Sequence, residues 1–117
     1  MLITVCKSKI HRATITQANR DYVGSITIDT DLMKRANLIP YEKVQVANIA
    51  NGERFETYVI EGDAGSGVIG LNGAAARKGE IGDLIIIIAY GHMDPAEAEG
   101  YSPAIVHVDE KNRPVEL

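Results

Sequence analysis

The chain has 117 residues, of which 45% are hydrophobic and 24% charged, and its formal net charge is −4. This length predicts a single domain, 1–117, and the negative charge gives no reason to expect nucleic acid or an anionic membrane as a partner. The single cysteine, Cys6, excludes an intrachain disulfide and a cysteine-based zinc site. No basic leader opens the chain, and the longest apolar stretch, 84–90, is too short to cross a bilayer. We therefore expect a cytoplasmic protein.

Short strands separated by turn residues follow one another along the chain. Runs of β-branched residues predict strands over 9–16, 25–28, 44–48, 54–60, 84–90 and 104–108, and the continuous apolar run 84–90 predicts that both faces are buried or nearly so. Capping residues predict short helices over 32–36 and 94–99, with one further helical turn at 74–78. Glycines between 62 and 73 indicate a loop region. This pattern is typical of the mainly β class, in the form of a small β-barrel with short helices.

The most informative segment is 21–29, where a Gly24-Ser25 bond lies between apolar, strand-forming residues. Gly-Ser pairs usually occupy turns, because Gly tolerates positive φ and Ser bonds its own backbone. Glycine within a strand pattern, however, often marks strain or a close backbone approach. A serine hydroxyl held against the Gly24 carbonyl can attack it. The segment therefore suggests a chain that is its own first substrate.

Five blocks of sequence extend this interpretation: KSKIHRAT at 7–14, YVGSITID at 22–29, NGER at 51–54 with TY at 57–58, GLNGAAA at 70–76, and IAY at 88–90. In this order and spacing they resemble the pyruvoyl-dependent aspartate 1-decarboxylases, over nearly the whole chain. The resemblance implies a double-psi β-barrel assembled as a homotetramer, with active sites at the subunit interfaces. It also implies conversion of L-aspartate to β-alanine and carbon dioxide, a step of pantothenate biosynthesis.

The resemblance implies self-cleavage between Gly24 and Ser25, which gives a β chain, 1–24, and an α chain, 25–117. Ser25 Oγ attacks the Gly24 carbonyl, and β-elimination followed by loss of ammonia leaves a covalent pyruvoyl cofactor derived from Ser25. Thr57 matches the family position that assists this attack, and Asn72 is a candidate helper. Spontaneous cleavage and cleavage assisted by a maturation factor both remain open.

During turnover, the resemblance implies that the ketone forms a Schiff base with the substrate and serves as an electron sink. Tyr58 matches the family's proton donor, so the expected catalytic residues are Ser25 and Tyr58. Lys9 and Arg54 match positions associated with the substrate carboxylates. We expect Arg54 to hold the retained side-chain carboxylate, since stabilising the departing one would oppose its loss. Further expected substrate-binding residues are Thr57, Gly73, Ala74 and Ala75.

One alternative is a non-catalytic β-barrel binding module that keeps an intact Gly24-Ser25 bond. A GxGxxG pattern at 65–70 is not interpreted as a dinucleotide site, because no strand–helix unit is predicted around it. The three histidines, 11, 92 and 107, show no ligand spacing, so we expect no metal site.

Overall fold

The structure, a computed structural model, describes residues 1–116, in which nine strands are connected by loops and short helices. The strands are β1 Ile3–Thr14, β2 Gln17–Asn19, β3 Ser25–Asp29, β4 Lys43–Asn48, β5 Arg54–Gly62, β6 Ile69–Asn72, β7 Leu84–Met93, β8 Ala104–Val108 and β9 Pro114–Val115. The helices are α1 Thr30–Arg35, a 3-10 helix over Gly73–Arg77, and α2 Pro95–Glu99. The fold is mainly β with short helices, in agreement with the predicted small β-barrel.

The strand order, β2-β6-β3-β5-β4-β7-β1-β8-β9, differs strongly from the order along the chain. Strand β3 pairs with β6 in antiparallel fashion and with β5 in parallel fashion. A parallel pair requires a crossover connection, and here α1 and β4 lie in sequence between β3 and β5. The arrangement places Ser25, the first residue of β3, between two strands that arrive from distant parts of the sequence.

The core lies on one face of the strands β5, β4, β7 and β1. Val46, Ile87 and Ile10 form a row of paired residues on this face, and each is at most 1% exposed. The adjacent row on the opposite face contains Gln45 and Ile88, which are only partly buried. Side chains of a strand alternate between faces, which produces this difference. In the single chain one face of β7 is fully buried, and the other, which was predicted to be buried or nearly so, is only partly buried.

Strand boundaries differ from prediction where pairing, and not composition, determines them. Strand β1 begins at Ile3, ahead of the predicted start at residue 9, because its first half pairs with the end of β7. The segment 22–24 is an exposed loop, so Gly24 precedes a strand and does not lie inside one. The short strands β2, β6 and β9 carry no clear sequence signal of their own.

The glycine-rich loop 65–70 wraps around the carboxylate of Asp29. The backbone N–H groups of Gly65 and Gly67 donate to Asp29 Oδ1 and Oδ2 at 3.0 and 2.8 Å, and both glycines have positive φ. The same carboxylate caps α1 by accepting from Asp31 N at 2.8 Å. The GxGxxG pattern thus leads into strand β6 and opens no helix, which agrees with its rejection as a dinucleotide site.

Within residues 1–116, no helix has the length and apolar character required to cross a membrane.

Candidate active site

Ser25 is buried at the start of β3, with 1% of its surface exposed. Its Oγ donates a hydrogen bond to the Val23 carbonyl at 3.1 Å and accepts one from Asn72 Nδ2 at 2.9 Å. Ser25 and Asn72 are direct partners in the antiparallel pairing of β3 with β6. The sheet therefore holds the hydroxyl beside the loop that carries Gly24.

The Asn72 carboxamide bridges two hydroxyl groups. Its Nδ2 donates to Ser25 Oγ and to Thr27 Oγ1, each at 2.9 Å, and only 5% of the residue is exposed. An amide nitrogen donates but does not accept, so this group can stabilise negative charge near Ser25 and cannot take its proton. Sequence reasoning missed Thr27, because a threonine in a strand has no signal beyond its β propensity.

Gly73 packs directly on the backbone of the Gly24 loop. It has φ +63°, and a Cβ built there would lie 2.7 Å from Gly24 Cα, 2.8 Å from Gly24 N and 3.0 Å from the Tyr22 carbonyl oxygen. Glycine is the residue that allows both this conformation and this approach. At Gly24 itself, a Cβ would meet nothing within 4 Å. The close approach at the Gly24 loop is thus permitted by the missing side chain of Gly73, and not by that of Gly24.

A cavity of about 370 Å³ opens beside Gly24. Its wall is formed by the Gly24 loop, by strand β5 and by the 3-10 helix, and its lining residues are Gly24, Phe55, Glu56, Thr57, Tyr58, Ala74, Ala75 and Lys78. The small side chains of the 3-10 helix leave room for a ligand close to its backbone. The cavity thus brings together five of the residues singled out from the sequence, which are Gly24, Thr57, Tyr58, Ala74 and Ala75.

Lys78 is a lining residue that sequence reasoning missed. Its Nζ donates to Glu53 Oε2 at 3.1 Å, and close to half of each side chain is exposed. A lysine near a run of alanines is usually an ordinary surface charge. The position of Lys78 beside the cavity follows from the path of the chain at the end of the 3-10 helix.

The remaining predicted residues, Lys9 and Arg54, lie apart from Ser25. Lys9 pairs with Ile88 and Ile88 pairs with Gln45, whose Oε1 accepts a hydrogen bond from Arg54 Nη1 at 3.3 Å. This row belongs to the sheet face opposite the core. Of the residues that the structure describes, neither Lys9 nor Arg54 lines the cavity beside Gly24.

Thr57 and Tyr58 are consecutive in β5 and therefore face opposite sides of the sheet. The Tyr58 ring lies with its centroid 6.1 Å from that of Tyr41. Tyr58 also lines the cavity, so residues from both faces of β5 contribute to the cavity wall. One chain by itself presents the predicted site as two halves on two sides of this strand.

His11 lies two residues after Lys9, and its ring meets that of His107 edge-on at a centroid distance of 5.5 Å. Burial lowers the pKa of His11 from its ordinary value, and the charges of Lys9, His107 and Arg12 lower it further. Its Nδ1 is buried without a hydrogen-bond partner among residues 1–116. In that same part of the chain, no group of three or more potential ligand side chains is placed to hold a metal ion.

Comparisons with known proteins give one consistent result. A family model described as aspartate decarboxylase matches residues 1–115. An aspartate 1-decarboxylase of Acetivibrio thermocellus is 62% identical over 117 residues, which are 100% of this chain and 93% of that protein. The proteins of the same description from Pelotomaculum thermopropionicum and Thermoanaerobacter pseudethanolicus are 61% and 60% identical, covering 100% and 95% of this chain and 89% and 95% of their own lengths.

Proposed function

The chain belongs to the aspartate decarboxylase family and is a carboxy-lyase acting on aspartate, and from this premise we propose that its cofactor is a pyruvoyl group made from its own Ser25. The observation that carries the proposal is the buried Ser25 Oγ, hydrogen-bonded to Asn72 at 2.9 Å beside a loop on which Gly73 packs. A catalytic or self-processing serine needs such a confined position, in which a neighbouring donor can stabilise developing negative charge.

Maturation uses the atoms of residues 24 and 25. Ser25 Oγ bonds to the Gly24 carbonyl carbon, the C–N bond breaks, and the nitrogen of residue 25 takes up the proton, which gives an ester. Removal of the Ser25 α-proton then breaks the Cβ–Oγ bond and releases residues 1–24 with a carboxylate on Gly24. Water replaces the nitrogen of residue 25, ammonia leaves, and residues 25–117 begin with the pyruvoyl group.

The surroundings of Ser25 fit this group. Asn72 Nδ2 supplies a hydrogen-bond donor at residue 25, and the adjacent cavity of about 370 Å³ is large enough for a substrate of the size of aspartate. Thr57 on the cavity wall supplies a hydroxyl that can hydrogen-bond to the Gly24 carbonyl oxygen during the attack. When present, the pyruvoyl group supplies an electron sink for the charge left at the substrate Cα.

The substrate is oriented by its two carboxylates. Arg54 holds the retained side-chain carboxylate as a planar pair of donors, and Lys9 provides a second positive charge. Tyr58 delivers a proton to Cα after carbon dioxide leaves, and the product is β-alanine, a precursor in pantothenate biosynthesis.

A homotetramer forms part of the proposal, because one chain does not bring these groups to one place. Lys9 and Arg54 lie on the sheet face opposite the core, whereas Thr57 lines the cavity beside Gly24 and Ser25 is buried against Asn72. A second copy that covers the cavity can supply the carboxylate-binding side chains from its own outer face. The active site then lies between subunits.

The intact mass of the purified protein under denaturing conditions tests the proposal. We expect fragments 1–24 and 25–117, the larger one lighter by one ammonia than a fragment that begins with serine. Two fragments without that loss would indicate ester hydrolysis and contradict the cofactor assignment. If only the full-length mass is found, the chain is coexpressed with candidate maturation factors and measured again. A chain that stays intact but decarboxylates aspartate would refute the proposal.

A further inference from the structure

The Asn72 carboxamide is held at two points, and only one of them is the serine that reacts. Its nitrogen carries two hydrogens, and the two acceptors, Ser25 Oγ and Thr27 Oγ1, both lie at 2.9 Å. Ser25 and Thr27 are two residues apart in β3 and therefore lie on the same face of the strand. The two hydroxyl groups thus form a pair of acceptors on one face of β3.

We propose that Thr27 is a positioning residue for the cleavage reaction, because it fixes the plane of the Asn72 carboxamide so that one N–H is directed at Ser25 Oγ. The inference rests on the proposed function. The terminal torsion of asparagine is broad, so a single hydrogen bond to Ser25 leaves the amide plane free to turn. A second acceptor on the other N–H removes that freedom.

Burial makes the second acceptor necessary. Asn72 is 5% exposed, and a buried N–H without a partner is costly, so the carboxamide would turn away from Ser25 if Thr27 Oγ1 were removed. Ser25 Oγ already donates its own hydrogen to the Val23 carbonyl, which leaves it as an acceptor toward Asn72. The Asn72 amide is therefore the donor in both hydrogen bonds, and the two hydroxyl oxygens are the acceptors.

The residue paired with Thr27 leaves room for this diagonal contact. Thr27 lies opposite Gly70 in β6, and a Cβ at Gly70 would come within 3.5 Å of Thr27 Cβ. Because Gly70 has no side chain, strand β6 places no side chain against Thr27 at this position.

The test compares variants at Thr27 by the rate at which chains split at the Gly24-Ser25 bond, followed by intact mass under conditions in which the unmodified chain is cleaved. Thr27→Val keeps the shape and removes the hydroxyl, and we expect cleavage about tenfold slower. Thr27→Ser restores the hydroxyl and is expected to cleave within about twofold of the unmodified chain.

Thr16→Val is the matched control, because it removes a hydroxyl that also bonds strand β6, at Ile69, without contacting Asn72. It is expected to leave the cleavage rate unchanged. Thermal unfolding of each variant in a Ser25→Ala background, where every chain stays intact, separates lost stability from lost positioning.

Cleavage of Thr27→Val at the unmodified rate would overturn the inference, as would equal slowing by Thr27→Ser or by Thr16→Val. These outcomes concern Thr27 alone, since the unmodified chain is cleaved in the same experiment. Failure of the unmodified chain to cleave under any condition would instead contradict the proposed function, and this inference with it.

Discussion

Replacing Gly73 by alanine is expected to slow cleavage at the Gly24-Ser25 bond by much more than its loss of stability explains. Two physical effects combine at this position. Gly73 has φ +63°, where an L-residue pays about 1–2 kcal/mol. In addition, the new methyl group would lie 2.7 Å from Gly24 Cα and 2.8 Å from Gly24 N.

The size of the displacement follows from these distances. Ordinary contact with a Cβ begins at 3.4 Å, so the backbone of Gly24 and the new Cβ must separate by about 0.7 Å, the difference from 2.7 Å. A misplacement of about 1 Å can reduce the rate of a positioned reaction by roughly 100-fold. We therefore expect cleavage to be about 10- to 100-fold slower in Gly73→Ala.

Gly52→Ala provides the matched control. Gly52 has φ +74° in the turn between β4 and β5, and a Cβ there would meet nothing within 4 Å. This variant has the conformational cost without a clash. Intact mass against time gives the cleavage rate, and urea unfolding in a Ser25→Ala background gives the stability. Both variants should be destabilised, Gly73→Ala more so because of the clash, but only Gly73→Ala should be cleaved slowly.

Cleavage of Gly73→Ala at the unmodified rate would refute the reasoning, because it would mean that the position of the Gly24 backbone relative to Gly73 does not matter. Equal slowing in Gly52→Ala would also refute it, since the cause would then be general destabilisation.

Three further changes test other parts of the site. Ser25→Ala is expected to fold, to give a single full-length mass and to have no decarboxylase activity; carbon dioxide release from aspartate by this variant would contradict the mechanism. Arg54→Ala is expected to raise KM for aspartate about 10- to 100-fold, with a smaller rise for Arg54→Lys; a fall in kcat at unchanged KM would contradict its assignment to the retained carboxylate. Burial, and next the charge of Lys9, lower the pKa of His11, so the folded chain binds fewer protons than the unfolded chain just below pH 6.5. The free energy of unfolding should therefore rise with pH through that window and fall as the pH drops below 6.5. In urea titrations, the free energy of unfolding of His11→Asn should depend less steeply on pH. An unchanged pH dependence in that variant would argue against the lowered pKa.

Local patterns in the sequence were sufficient for most of the individual elements. The alternation in β5 correctly separates Phe55 and Val59, on the core side, from Arg54 and Glu56, because side-chain direction has a period of two residues. Capping residues were likewise sufficient to predict α1 and α2, which the side chains of Asp29 and Asp94 cap, since a side chain that accepts from the first turn acts over a few residues. The resemblance carried by the five sequence blocks matches the family found by comparison.

Interactions between distant segments had no local signal. The pairing of Ser25 with Asn72, 47 residues apart, depends on β3 lying between β6 and β5, and strand order is a property of the whole sheet. The contact of Gly73 with Gly24 and the bridge from Asn72 to Thr27 follow from that same pairing.

The sequence by itself therefore determined the mainly β class, the strand-forming segments and the residue types at the candidate site, because these depend on propensity, period and motif. Only the tertiary structure decided which of those residues meet. It brings Gly24, Thr57, Tyr58 and the 3-10 helix together around one cavity, places Ser25 against Asn72, and leaves Arg54 and Lys9 outside that cavity. The physical reason is that consecutive residues of a strand, such as Arg54 and Phe55, point to opposite faces, whereas sheet pairing joins residues that are distant in sequence.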